Sequence, residues 1–247
     1  MKAAERVSTC DRNRWIELLF KAQKQYQLSV LNYIVTSNHI HLLVSAPTRT
    51  DAIPRTIQFV AGRLGQEYNR RKKRKGAFWQ DRYHATAIES GEHLLRCLVY
   101  IDLNMVRAGV VQHPKQWPFS GYNEIQDPPC RYRIIDLDGL ARLTGSSDIS
   151  DLQSAHKKWI NACLEAGKRK RESHWTESIA SGSKLFVEEV KRSLGFKAKS
   201  RSITGKKGRY QLKEDVAEFD NLSLNGPEPI EESDAGQPNT IIWRDIS

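Results

Sequence analysis

Two histidines flank one aliphatic residue at His39, Ile40 and His41, and about sixty residues downstream Tyr100 and Asn104 lie one helical turn apart. Side chains alternate along a strand, so two imidazoles separated by one residue leave the same face, close enough to hold one divalent ion. Two imidazoles and one amide leave coordination positions for water and phosphate oxygens, and an ion so held can polarise a phosphodiester for attack. The phenol of Tyr100 is the nucleophile that this chemistry needs. Asn104 falls on the helix face that Tyr100 uses, where its amide oxygen would complete the metal shell. Phosphoryl transfer suits an ion with a flexible, largely watered shell, Mg2+ or Mn2+. A phenol of pKa about 10 is a poor nucleophile at neutral pH, so the site must also take up its proton or stabilise the phenolate. His93, Cys97, Tyr100, Asn104 and Arg107 form one polar stripe along the helix, while Leu94, Leu98, Ile101 and Met105 form its apolar one. The spacing describes a metal-assisted tyrosine nuclease with Tyr100 catalytic and His39, His41 and Asn104 as ligands.

Three segments in order carry a resemblance: Tyr33-Ile-Val-Thr-Ser-Asn-His-Ile-His-Leu-Leu-Val44, Phe78-Trp-Gln-Asp-Arg-Tyr83 and Tyr100-Ile-Asp-Leu-Asn-Met-Val-Arg-Ala-Gly109. Together they resemble the REP-associated tyrosine transposases, a branch of the HUH single-tyrosine transposases. The resemblance covers roughly residues 12 to 125 and continues more weakly through Trp117-Pro-Phe-Ser-Gly-Tyr122 and Phe186-Val-Glu-Glu-Val190. It implies a ferredoxin-like nuclease that cuts single-stranded DNA near hairpins and holds the 5′ end as a phosphotyrosine. Retention of the bond energy in that ester lets a 3′-hydroxyl of another strand reverse the step without ATP. Relatives commonly have proline where Met105 stands, a change expected to affect the helix end more than the chemistry.

A chain of 247 residues has room for one nuclease-sized domain and an appendage. The formal charge of +10 favours a polyanionic partner, and its distribution sharpens the point. Residues 210–247 hold nine acidic side chains against Lys213 and Arg244, a net of −7, so residues 1–209 carry about +17. Cys10, Cys97, Cys130 and Cys163 are spread singly, which fits reduced thiols and neither a disulfide framework nor a zinc site. No hydrophobic run approaches the roughly 18 residues of a membrane span and no apolar signal segment opens the chain, which points to a cytoplasmic protein.

The elements that must position the site follow from periodicity. Arg12 through Gln25 reads as a helix with Asp11 as N-cap; Val30–Val35 and His39–Ser45 read as a hairpin turned at Thr36, Ser37 and Asn38. Asp51–Arg71 reads as a long amphipathic helix, Arg82–Glu89 as a strand, and the tyrosine helix runs from a Ser90 cap to Gly109. This order is an α+β, ferredoxin-like nuclease core with an antiparallel sheet whose first strand, which would lie in the interior beside the histidine strand, is apparently missing. We expect the nuclease domain over residues 1–125 and a helical appendage over 126–196, with helices at Asp136–Leu143, Asp148–Ala166 and Ser183–Leu194. Residues 197–247 read as a disordered tail, basic and then acidic.

Arg70, Arg71, Lys72, Lys73, Arg74 and Lys75 are six consecutive cations followed by Phe78 and Trp79, a pairing that suits phosphate contacts beside base stacking on single-stranded or hairpin DNA. Arg82 belongs with this DNA-binding set, and Lys168–Arg171 and Lys206–Lys207 are weaker candidates. His84, His113, His156 and His174 show no ligand spacing. The leading expectation is a transposase-like nickase and strand transferase acting on hairpin-forming repeats as a monomer or homodimer, with neither a membrane partner nor a small-molecule substrate. The alternative is a catalytically impaired, truncated or domesticated relative that binds hairpins without cutting; an RNA-binding regulator rests on charge and aromatic content alone.

Overall fold

The computed structural model describes residues 7–45, 51–80, 83–167, 172, 174–206, 208–214 and 241–246. Helix α1 (Thr9–Tyr26) buries Trp15, Leu18, Leu19 and Ala22 at the expected spacing. Its cap is Ser8 rather than Asp11. The Ser8 hydroxyl accepts from the Asp11 amide, and the Asp11 carboxylate accepts from the Ser8 amide at 2.9 Å, so Asp11 closes a capping box from the first turn. Strands β1 (Ser29–Val35) and β2 (Ile40–Ser45) form an antiparallel hairpin in which Ile34 faces His41. Helix α2 (Ala52–Arg71) packs along α1, and β3 (His84–Ile88) follows. Helix α3 (Glu92–Asp102) starts after Gly91, not on a Ser90 cap, and gives way at Leu103 to a short helix α4 (Asn104–Arg107).

Neighbouring residues of β1 show how the layers are arranged. Tyr33 packs on Trp15 of α1 with ring centroids 6.3 Å apart, whereas Asn32 donates to Asp102 of α3 at 3.0 Å. Consecutive strand residues face opposite ways, so α1 and α3 cover opposite faces of the sheet. The outer side of β1 is covered by the chain around Phe119 and Ser120 and by Ile135. There α5 (Gly121–Gln126) comes so close that a Cβ on Gly121 would lie 2.3 Å from the Asn32 amide oxygen; glycine is required at that approach.

Helices α6 (Leu137–Thr144), α7 (Ile149–Glu165) and α9 (Lys184–Leu194) lie where the sequence places them, and the first residue of each expected range, Asp136, Asp148 and Ser183, is the side-chain N-cap. Between them α8 (His174–Glu177) and a three-residue strand β4 (Ala180–Gly182) interrupt the helical region, and β4 joins the sheet parallel to β3. The expected disorder from residue 197 onward does not hold for the described part. There β5 (Arg201–Lys206) and β6 (Arg209–Glu214) form an antiparallel hairpin, and β7 (Ile241–Ile246) is a strand. Backbone pairing in the sheet recruits these segments, which local composition alone does not mark as part of a core. The described residues thus form a mixed α+β structure with one seven-stranded sheet in the order β1, β2, β7, β3, β4, β6, β5. No helix among the described residues is long and apolar enough to cross a membrane.

Candidate active site on the tyrosine helix

His41 is the second residue of β2 and is buried against α4, where its Nε2 accepts from the side-chain amide of Asn104 at 3.0 Å. His39 stands one residue before the strand and is half-buried. Its backbone is fixed by Thr36, whose hydroxyl donates to the His39 carbonyl at 2.8 Å and accepts from the His39 amide at 2.9 Å. The turn therefore sets where the first histidine leaves the hairpin.

Tyr100 lies on the same face as His41, their rings edge to face with centroids 6.5 Å apart. It is 6% exposed, so most of its ring is held in the core and little of it reaches solvent. Two further side chains stand beside it. The guanidinium carbon of Arg107 sits 4.0 Å from the Tyr100 ring centroid. The Trp175 ring of α8 approaches from 6.3 Å. Burial lowers the Arg107 guanidinium from its ordinary value, an effect opposed by Tyr100 and Glu172. An arginine still remains charged at neutral pH. The contact of the guanidinium with the ring face is one that spacing alone does not assign.

What holds this helix in place is a buried polar chain centred on Asp102, midway between Tyr100 and Asn104. One carboxylate oxygen accepts from Asn32 of β1 at 3.0 Å, the other from His156 Nε2 of α7 at 2.7 Å. Gln126 donates to His156 Nδ1 at 3.0 Å, which fixes the tautomer that donates to Asp102. The spacing around His156 in the sequence carries no sign of this role, which arises only where α7 packs onto α3. The apolar contact beside it joins Val99, Leu103 and Val106 to Tyr122 and Ile160.

The rest of the polar stripe divides. Cys97 is wholly buried and burial pushes its thiol up; all four cysteines are free. His93 lies 3.5 Å from Glu89, and burial lowers its imidazole despite that carboxylate. Among the described residues no three His, Cys, Asp or Glu side chains converge as a metal cluster. His41 Nε2 and the Asn104 amide are joined by an ordinary hydrogen bond at 3.0 Å, and the amide would have to turn over to present its oxygen to an ion.

The cationic run closes α2 at the surface. Arg70, Lys72, Lys73 and Lys75 are exposed, while Arg71 is paired with the buried Asp11 and Arg74 donates to the Ala77 carbonyl at 3.1 Å. Phe78 is not available for stacking on bases: it is 4% exposed and packs on Tyr68 with centroids 4.6 Å apart. Trp79 is half-buried, its indole donating to the Ala61 carbonyl at 2.9 Å. Lys206 is exposed at the end of β5. Arg82, Lys168–Arg171 and Lys207 lie outside the described residues.

The family described as Transposase IS200 like matches residues 4–104, the stretch that carries the hairpin, the tyrosine helix and Asn104. That match takes in about two fifths of the chain. The chain is also similar to a protein named as a putative REP-associated tyrosine transposase in Haemophilus influenzae, 27% identical over 109 residues. That match takes in 40% of this chain and 62% of the relative, so the chain covers about three fifths of the relative's length. No solved structure matches the chain significantly. The resemblance drawn from the three sequence segments agrees with both matches.

Proposed function

We propose that the chain is a single-stranded DNA nickase and strand transferase acting at hairpin-forming repeats, with Tyr100 as its nucleophile. The observation that carries this reading is the convergence of Tyr100, Arg107, His41 and Asn104 from β2, α3 and α4. The order β1, β2, β7, β3, all antiparallel and with α1 and α3 on opposite faces, supports a ferredoxin-like core beneath them.

The Tyr100 oxygen attacks the phosphorus of the scissile phosphodiester as its proton leaves, and Arg107 balances the charge of the phenolate. The bond from phosphorus to the 3′ oxygen breaks, the departing oxygen takes a proton, and the 5′ phosphate remains esterified to Tyr100. Attack by the 3′-hydroxyl of a second strand reverses these bond changes and joins the two DNA ends. His39, His41 and Asn104 would hold Mg2+ or Mn2+, which when bound supplies polarisation of the phosphate. Asp102, through Asn32 and His156, keeps Tyr100 and Asn104 at their stations throughout.

The test is a hairpin oligonucleotide incubated with the wild type and with Tyr100→Phe. The wild type nicks it and retains a covalent 5′ adduct, chelation by EDTA stops nicking, and the phenylalanine variant binds without cutting. Undiminished nicking by Tyr100→Phe removes the assignment. Binding by the wild type with no cutting in either metal returns the protein to the hairpin-binding alternative.

A further inference from the structure

Strand β7 occupies an interior position that the preceding elements leave open. On one side Ile246 to Ile241 pair with Ile40 to Ser45 of β2; on the other Asp245 to Ile241 pair with His84 to Ile88 of β3. Both pairings are antiparallel, and Asp245 stands in register between His41 and His84. Without β7 the sheet parts into β1–β2 and β3–β4–β6–β5, separated by a gap one strand wide. The inner flanks of β2 and β3 would then carry rows of unpaired backbone groups at the centre of the molecule. Leu42, Leu43, Val44 and Ile88 are fully buried, so water is a poor substitute for the missing partner.

A βαββαβ sheet fills this interior place with a strand that precedes the first helix, antiparallel to both of its neighbours. Here the same place and direction are taken by a segment from the other end of the chain. Its sequence, Ile241-Ile-Trp-Arg-Asp-Ile246, is rich in β-branched and aromatic residues and stands apart from the acidic, Pro- and Gly-containing stretch before it. Helix α8, which brings Trp175 to Tyr100, packs on both β3 and β7, so the strand underlies the site from two sides.

We propose that Ile241–Ile246 is a docking strand, supplied by the chain's own C-terminal segment, whose insertion between the histidine strand and β3 assembles the active site. Withdrawing it leaves His41 on an open sheet edge and releases the support beneath α8. The slot is a backbone-recognising groove for one extended apolar strand, and its occupancy governs whether Tyr100, His41 and Trp175 share one surface.

Hydrogen exchange read by mass spectrometry tests this without reference to DNA cleavage, so the docking strand and the nuclease reading can fail separately. In the intact protein the amides of residues 40–45, 84–88 and 241–246 exchange slowly. In the double variant Ile242→Pro/Arg244→Pro, whose prolines cannot donate to a ladder, residues 40–45 and 84–88 exchange at least about tenfold faster while α1 keeps its protection. A synthetic peptide of residues 239–247 added in excess restores slow exchange. Unchanged protection of β2 and β3 in the proline variant overturns the proposal.

Should that variant lose protection everywhere, Val44→Cys/Ile242→Cys in the otherwise intact chain decides, because these positions face each other in register. Peptide mapping under mild oxidation is expected to find an intramolecular disulfide between positions 44 and 242. Its absence, or a disulfide joining two chains, overturns supply by the same chain.

Discussion

At the residue scale the proposed nucleophile, Tyr100, is a phenol of 6% exposure. Arg107 stacks on its ring, so, on the proposed mechanism, Arg107→Gln is expected to slow single-turnover nicking of pre-bound hairpin DNA by about a hundredfold, in line with removal of one preorganised charge-stabilising group. Arg107→Lys recovers part of the rate, since it restores charge without the planar stack. Equal rates for wild type and Arg107→Gln would assign the stacking to packing alone. His41, Tyr100 and Asn104 are legible in the sequence because strand and helix periods bring them together from local spacing. Arg107 is legible only as a member of the stripe, since a spacing of seven residues says which face it shares and not that it lies over the ring. Trp175 is not legible at all: it comes to Tyr100 through the placing of α8, which no local pattern encodes.

At the element scale, side-chain caps make α6, α7 and α9 readable to within a residue or two, because Asp136, Asp148 and Ser183 each bond an amide three residues ahead. The start of α1 lies earlier than its periodicity suggests for a related reason: Asp11 is a capping residue, but it acts back toward Ser8. Strands β5, β6 and β7 escape a local reading because their stability comes from neighbours distant in sequence. The cationic end of α2 divides into two roles that mutation can separate. Neutralising Arg70, Lys72, Lys73 and Lys75 should lower the slope of log affinity against log salt by roughly 0.7 for each phosphate of single-stranded DNA that the variant no longer neutralises. Parallel slopes in a salt titration of hairpin binding would reduce this run to a solvated loop. Arg71 has a folding role instead. Burial raises the Asp11 carboxyl, but bonds from Ser8 and Arg71 outweigh it and hold the carboxyl below its ordinary value. A depressed folded value means stability that is present above the unfolded pKa of about 3.9 and is lost as pH falls through the folded value. Urea unfolding of Asp11→Asn should therefore show a weaker decline below about pH 4 than the wild type, and curves of equal steepness would discount the pair.

At the scale of the whole molecule, the helices after residue 126 read from sequence as an appendage, yet α7 reaches the centre of the site's support. His156 lies fully buried 2.7 Å from the equally buried Asp102, and Ile160 packs with Val99, Leu103 and Val106 on the flank of the tyrosine helix. The tyrosine helix and α7 therefore share a core cluster as well as a buried hydrogen bond to a carboxylate. His156→Ala removes the donor and opens a cavity, leaving Asp102 with Asn32 alone, a change expected to cost about 3 kcal/mol. Because the cluster spans both parts, urea unfolding followed by far-ultraviolet circular dichroism and by tryptophan fluorescence should give coincident single transitions, shifted together in the variant. Removal of this bond also frees the turn at Leu103 between Tyr100 and Asn104, so nicking should fall under conditions where the variant is still folded. Two separated transitions, with only one moved by His156→Ala and nicking unchanged, would mean that α7 belongs to an independent domain and that Asp102 holds the tyrosine helix without it.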